Sequence, residues 1–274
     1  MVLHLDPNFK PTSAPEIYFE SFTFSGGEPH IKIVPFAYDG PIAITHRLNS
    51  FNDLGLLLIA VDALKRMGKK DLSLIIPYFP GARQDRVMTA GESLSVKVYA
   101  QIINDLQLTK VTIFDPHSDV TPALLDNCTV ISNHEFIKTI MTELPSECLL
   151  ISPDAGAAKK IHKLAKYLQD YEVVECGKDR DVRTGQLSGF KVPISDLRGR
   201  PCLIVDDICD GGGTFIGLAT ELKKANAGDL YLAVSHGIFS RGLTTLKEVF
   251  KGIYTTDSIK EEEQLDQITM SQLI

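Results

Sequence analysis

Short apolar runs alternate along the chain with longer stretches in which apolar residues recur every three or four positions. Six runs read as buried strands: Leu72 to Tyr78, Lys110 to Asp115, Cys148 to Asp154, Tyr171 to Cys176, Pro201 to Asp207 and Asp229 to His236. They are nearly continuous in apolar residues, as parallel strands covered on both faces are. Helical spacing fills the gaps. Leu54, Leu57, Leu58, Val61 and Leu64 share one face of a helix that Asn52 is placed to cap and that runs to about Met67. Ser93 to Leu106, Ala157 to Gln169 and Phe215 to Ala225 repeat the pattern, and Gly228 closes the last. Strand–helix alternation predicts α/β units with parallel sheets. The polar stretch from Thr142 to Cys148, with Pro145 inside it, predicts a boundary between domains at residues 1–145 and 146–274.

Composition narrows the classes. The formal net charge of the 274 residues is −7 and no Lys/Arg cluster stands out, which disfavours nucleic acid as a main partner. No run of eighteen apolar residues is present, so no membrane span is expected. The N-terminal stretch lacks a basic segment followed by an apolar one, so no secretory signal is expected. Five cysteines, an odd number without CxxC spacing, predict idle thiols in a reducing cytoplasm and no zinc site.

In open parallel sheets ligands gather at the carboxyl ends of the strands. The predicted strands end in "PYFPGARQDR", "DPHSD", "PDAGA", "CGKDRDVR" and "DDICDGGGT", nearly all charge or glycine. Gly211, Gly212 and Gly213 let backbone amides approach an anion, the following helix adds its N-terminal dipole, and Thr214 adds a hydroxyl donor. The segment is not a Walker loop, because no Gly-Lys-Ser/Thr closes it. Asp206 and Asp207 would repel that anion and suit hydroxyl groups or a divalent cation; Asp210 adds a third carboxylate. A sugar phosphate presents both needs. The plainer alternative is a glycine-rich turn after a strand.

"VDDICDGGGT" resembles the ribose-phosphate loop shared by type I phosphoribosyltransferases and ribose-phosphate pyrophosphokinases (PRPP synthetases). "IIPYFPGARQDR" resembles the ATP-binding segment of the second family, and "TFSGGE", "FDPHSD", "SPDAG", "GKDRD" and "VSHGIFS" resemble its other segments, in order from Phe24 to Ser240. The resemblance implies two similar phosphoribosyltransferase-like (Rossmann-like) α/β domains, each a mostly parallel sheet flanked by helices. It implies transfer of the β,γ-diphosphoryl group of ATP to the anomeric hydroxyl of ribose 5-phosphate, with Mg2+ as cofactor. By resemblance Arg83, Gln84, Asp85, Arg86 and His117 bind ATP, with Phe24 and Glu28 holding adenine from a neighbouring subunit of a homo-oligomer. His117 and Asp154 are implied as metal ligands, and Lys178, Arg180 and His117 as catalytic. Asp206, Asp207, Asp210, Gly211, Gly212, Gly213 and Thr214 are implied to bind the ribose phosphate.

Three departures stand out. The family usually has threonine at the position of Gly211; losing a hydrogen bond to an anion costs about 1.5–3 kcal/mol. An acceptor esterified at its 5-phosphate, such as ADP-ribose in NAD metabolism, would need space there instead. The stretch Val87 to Ser93 replaces a basic segment, and Gly26 stands where the adenine loop carries Asp or Asn. A type I phosphoribosyltransferase and a non-catalytic regulatory homologue are the competing readings.

Overall fold

Leu72–Ile76, Lys110–Phe114, Cys202–Cys209 and Leu230–Gly237 are strands as their apolar runs predict, and the helices between them bury their apolar faces against the sheets. The structure is a computed structural model; it describes residues 1–180, 187–265 and 267–274, with the side chains of residues 178–180 and 187–188 outside the description. The chain divides into a unit of residues 1–132 joined by 269–274 and a unit of residues 133–268, each with its own hydrophobic core.

The first unit contains β1 (Val2–His4), the exposed hairpin β2 (Phe19–Thr23) and β3 (Pro29–Ile33), β4 (Ile42–Thr45), α1 (Phe51–Arg66), β5 (Leu72–Ile76), α2 (Ser95–Asn104), β6 (Lys110–Phe114), α3 (Val120–Leu124) and β7 (Cys128–Ile131). Its main sheet is parallel, in the order β1-β4-β5-β6-β7. The second contains α4 (His134–Met141), β8 (Leu149–Ser152), α5 (Ala155–Tyr167), β9 (Val173–Glu175), the antiparallel pair β10 (Gly177–Arg180) and β11 (Leu187–Lys191), β12 (Cys202–Cys209), α6 (Gly213–Lys224), β13 (Leu230–Gly237), α7 (Thr244–Val249) and β14 (Gly252–Thr256). Its main sheet is also parallel, in the order β14-β13-β12-β8-β9.

Several expectations shift. The division falls between residues 132 and 133 rather than 145 and 146, because Phe136, Ile137 and Ile140 make α4 an amphipathic helix of the second unit. Ser50, not Asn52, caps α1: its hydroxyl oxygen accepts the Asp53 amide at 3.2 Å. β12 continues to Cys209, which puts Asp206 and Asp207 inside the strand. α6 begins at Gly213, two residues before the expected start. All five cysteines are free thiols; burial pushes Cys148, Cys176 and Cys209 up to about 12 and Cys202 to about 11, which keeps them protonated. Among the described residues, no helix is long and apolar enough to cross a membrane.

Candidate active site

In the second unit the chain builds β8 and then β9 outward, returns to β12 on the other side of β8, and continues outward through β13 and β14. The strand order therefore reverses between β8 and β12. A crevice opens at the carboxyl ends of strands on either side of such a switch point, because their connections leave in opposite directions. Asp154 follows β8, and the segment 206–214 closes β12.

Asp206 sits half-buried near the end of β12, and Asp207 beside it is buried. The Asp207 amide donates to Asp206 Oδ1 at 2.9 Å. Burial, then the neighbouring Asp207 carboxylate, hold the Asp206 carboxyl well above the usual range, and the Asp154 charge pushes the same way. Burial and the two neighbouring charges thus all favour the neutral form of Asp206.

The loop beyond needs glycine for two physical reasons. Gly212 caps α6 at φ 77°, the left-handed region, where a β-carbon would also stand 3.0 Å from Leu246. The first amides of α6 to bond within the helix are those of Phe215 and Ile216, both to the Gly212 carbonyl at 3.1 Å. The Gly213 and Thr214 amides stand ahead of that ladder, at the positive end of the helix dipole. The arrangement can take an anion at the end of a strand that carries two aspartates.

The other predicted residues of this unit have structural partners as well. Asp154 caps α5, its Oδ1 accepting the Ala157 amide at 3.0 Å. Asp210 accepts the Ser240 hydroxyl at 2.6 Å and so ties the loop after β13 to the loop after β12. The β10–β11 ladder rests on α6: a β-carbon at Gly217 would stand 2.3 Å from the Phe190 ring. The backbones of Lys178 and Arg180 lie in β10, while their side chains lie outside the described residues. His236 is buried, and its Nδ1 lies 2.8 Å from the Ser258 hydroxyl.

In the first unit the candidates follow two adjacent strands, β5 and β6. Gly81, at φ 71°, packs against α2, where a β-carbon would be 3.0 Å from Tyr99 and 3.1 Å from the Val96 nitrogen. The tight turn brings Asp85 under the loop, with 2% of its side chain exposed, while Arg83, Gln84 and Arg86 point outward. Arg86 Nε donates to Asp85 Oδ1 at 2.9 Å and its second nitrogen to Oδ2 at 3.3 Å. The Arg86 bond, with further help from Ser118 and the His117 charge, holds the Asp85 carboxyl below the usual range against the effect of burial. Asp85 thus joins the loop after β5 to the exposed His117 after β6. Asp115 marks that corner with φ 34°, an uncommon conformation for a residue with a side chain.

The hairpin turn presents Phe24, 52% exposed, with Phe22 4.8 Å and His30 5.7 Å away between ring centroids. The Glu28 carboxylate folds over Gly26, filling the room that a side chain there would use. Phe22 and His30 were not singled out from sequence; their alternation with Phe24 across the two hairpin strands was the available signal.

Comparison with known proteins now defines the class. A family model for the N-terminal domain of ribose phosphate pyrophosphokinase matches residues 24–106, and one for the phosphoribosyl transferase domain matches residues 135–268. The crystal structure of phosphoribosylpyrophosphate synthetase from Mycobacterium smegmatis, 22% identical, shares the fold with a TM-score of 0.83 over 100% of this chain and 95% of that one. The ribose-phosphate pyrophosphokinase of Hyphomonas neptunium is 30% identical over 220 residues, which span 77% of this chain and 69% of that protein. That of Thermococcus kodakarensis is 27% identical over 241 residues, 87% and 84% of the two chains. The fold is an α/β architecture of phosphoribosyltransferase-type domains. The chain belongs to the ribose-phosphate pyrophosphokinase family.

Proposed function

We propose that this protein transfers the β,γ-diphosphoryl group of ATP to the anomeric hydroxyl of a ribose 5-phosphate unit. The anomeric oxygen forms a bond to the β-phosphorus, the bond from that phosphorus to the α-phosphate oxygen breaks, the hydroxyl proton is released and AMP departs. The observation that carries the reading is the pairing of carboxylates with an anion cradle at the switch point of the second unit. Asp206 and Asp207 bind the ribose hydroxyls, and the amides and hydroxyl of 211–214 bind the 5-phosphate. Arg83, Gln84 and Arg86 bind the nucleotide, with Asp85 setting the direction of Arg86. Phe24 and Glu28, with Phe22 and His30, form an aromatic platform for adenine, lent to a neighbouring subunit as in the family pattern. Lys178 and Arg180 are assigned the phosphoryl clamp by the same pattern.

Mg2+ fits the acids present. Burial and then the charges of Asp207 and Asp154 raise the Asp206 carboxyl, and a nearby divalent cation would offset those charges. Mg2+ takes few protein carboxylates and keeps waters and phosphate oxygens as ligands. Asp154 and His117 remain the proposed metal ligands. Bound with the nucleotide, Mg2+ would neutralise the phosphoryl charge.

A second reading keeps the chemistry and changes the acceptor: a 5-phosphate ester such as ADP-ribose in place of the free sugar phosphate. The lack of a hydroxyl donor at Gly211 for a free 5-phosphate favours it. The test is release of AMP from ATP with Mg2+, using ribose 5-phosphate and ADP-ribose at matched concentrations. We expect acceptor-dependent AMP. A purified protein that releases none with either acceptor would overturn both readings, and a strong preference for ribose 5-phosphate would end the second.

A further inference from the structure

Gly211 lacks a side chain, yet the space beside it is filled. A β-carbon there would stand 3.3 Å from both Cδ and Nε of Arg241 and 3.6 Å from its Cγ. The arginine is exposed, and its stem runs along the bare backbone of the anion cradle.

It is held there by more than its own chain. The Ile238 and Phe239 amides both donate to the Cys209 carbonyl, at 2.9 and 3.2 Å, and the Ser240 amide donates to the Asp210 carbonyl at 3.1 Å. The Ser240 hydroxyl adds its bond to Asp210. Phe239 takes φ 48°, a strained value for an aromatic residue, and the Gly242 amide closes the turn on the Phe239 carbonyl at 2.9 Å. The loop after β13 is thus laced to the loop after β12, and Arg241 rides on the lacing.

Charge gives the placement a purpose. Asp207 and Asp210 both precede the cradle, so an arriving anion meets acidic groups on one side. A guanidinium beside the amides offsets that field and offers several donors to phosphate oxygens. We propose that Arg241 is the specificity-determining cation of this cradle, taking the place of the hydroxyl that position 211 lacks and binding the phosphate on the ribose 5-oxygen of the acceptor. This rests on the proposed transfer reaction and adds a residue to it.

The test is steady-state kinetics of Arg241→Ala with ribose 5-phosphate and ADP-ribose as separate acceptors. The expected result is a KM for the acceptor raised about tenfold to a hundredfold, with kcat and the KM for ATP nearly unchanged. Whichever acceptor loses more carries the phosphate that Arg241 holds. Arg241→Lys should recover part of the loss, since it restores charge without the fork. Adding Gly211→Thr to Arg241→Ala should recover ribose 5-phosphate binding, because the vacated space then admits the threonine hydroxyl. An unchanged acceptor KM in an otherwise active Arg241→Ala enzyme would overturn this inference alone. Wild-type enzyme that releases no AMP with either acceptor would overturn the transfer reading and this inference with it.

Discussion

The two units share a plan and differ where it matters for chemistry. Each has a five-stranded parallel main sheet and loop residues gathered at the strands' carboxyl ends. In the first, strand order β1-β4-β5-β6-β7 runs one way across the sheet; in the second it reverses beside β8. The first settles its buried acid: Arg86 holds Asp85 ionised. The second leaves its acid unsettled: burial and the Asp207 charge push the Asp206 carboxyl above the usual range. One carboxylate stabilises its unit, while the other is held at a cost that a bound hydroxyl or cation relieves. The two carboxylates therefore meet opposite electrostatic surroundings on sheets of the same size.

The largest effect should come from removing the unsettled acids. Asp206→Ala combined with Asp207→Ala should lower kcat/KM for AMP release at least a hundredfold, the scale of lost transition-state contacts. If the double variant kept activity within tenfold of wild type, β12 would be ordinary scaffold and the contrast between the units would fall.

Next in size is the stability of Asp206→Asn. A carboxyl whose folded pKa is raised adds stability fully below its unfolded value, near ~4, and loses it as pH rises through the folded value. At pH 8 wild type has lost that contribution, so the variant should be more stable by about 1–2 kcal/mol, within the range of such site-relaxing changes. For a chain of this size that is roughly 2–8 °C in melting temperature. At pH 3.5 the two proteins should melt together. A variant that melted below wild type at pH 8 would mean that Asp206 is ionised and satisfied.

Much of this contrast was legible in the sequence. The continuous apolar strands, the glycines of 211–213 and the acids before them are local features, and local features survive into the fold. Three things were not legible. β1, β4 and β7 are three or four residues long, too short for a period to register. The capping of α5 by Asp154 and of α1 by Ser50 depends on which residue leaves helical backbone, which periodicity locates only to within a turn. Arg241 was invisible because its role arises from a neighbour thirty positions away, set by the pairing of β12 with β13. Sequence separates what a residue is from what stands beside it, and Gly211 reads as an absence until Arg241 is placed.

The smallest effect belongs to the settled acid, and it should carry the opposite pH slope. Asp85 lies under its loop while the Arg86 side chain is 69% exposed, so solvent screens the pair and its worth is about 1 kcal/mol rather than that of a buried bridge. A carboxyl with a depressed folded pKa stabilises the fold at every pH above its unfolded value and loses that contribution as pH falls through the folded one. Asp85→Asn should therefore lower the melting temperature by a few degrees at pH 7, and the gap should close in acid, below about pH 4. Arg86→Met should cost a similar amount, and the double variant little more than either, since both break one interaction. The two curves of stability against pH, one for Asp85→Asn and one for Asp206→Asn, should then diverge from wild type in opposite directions at neutral pH and converge on it in acid. Curves that moved the same way would mean that the two carboxylates do the same work, and the distinction between scaffold and site would have to rest on strand order alone.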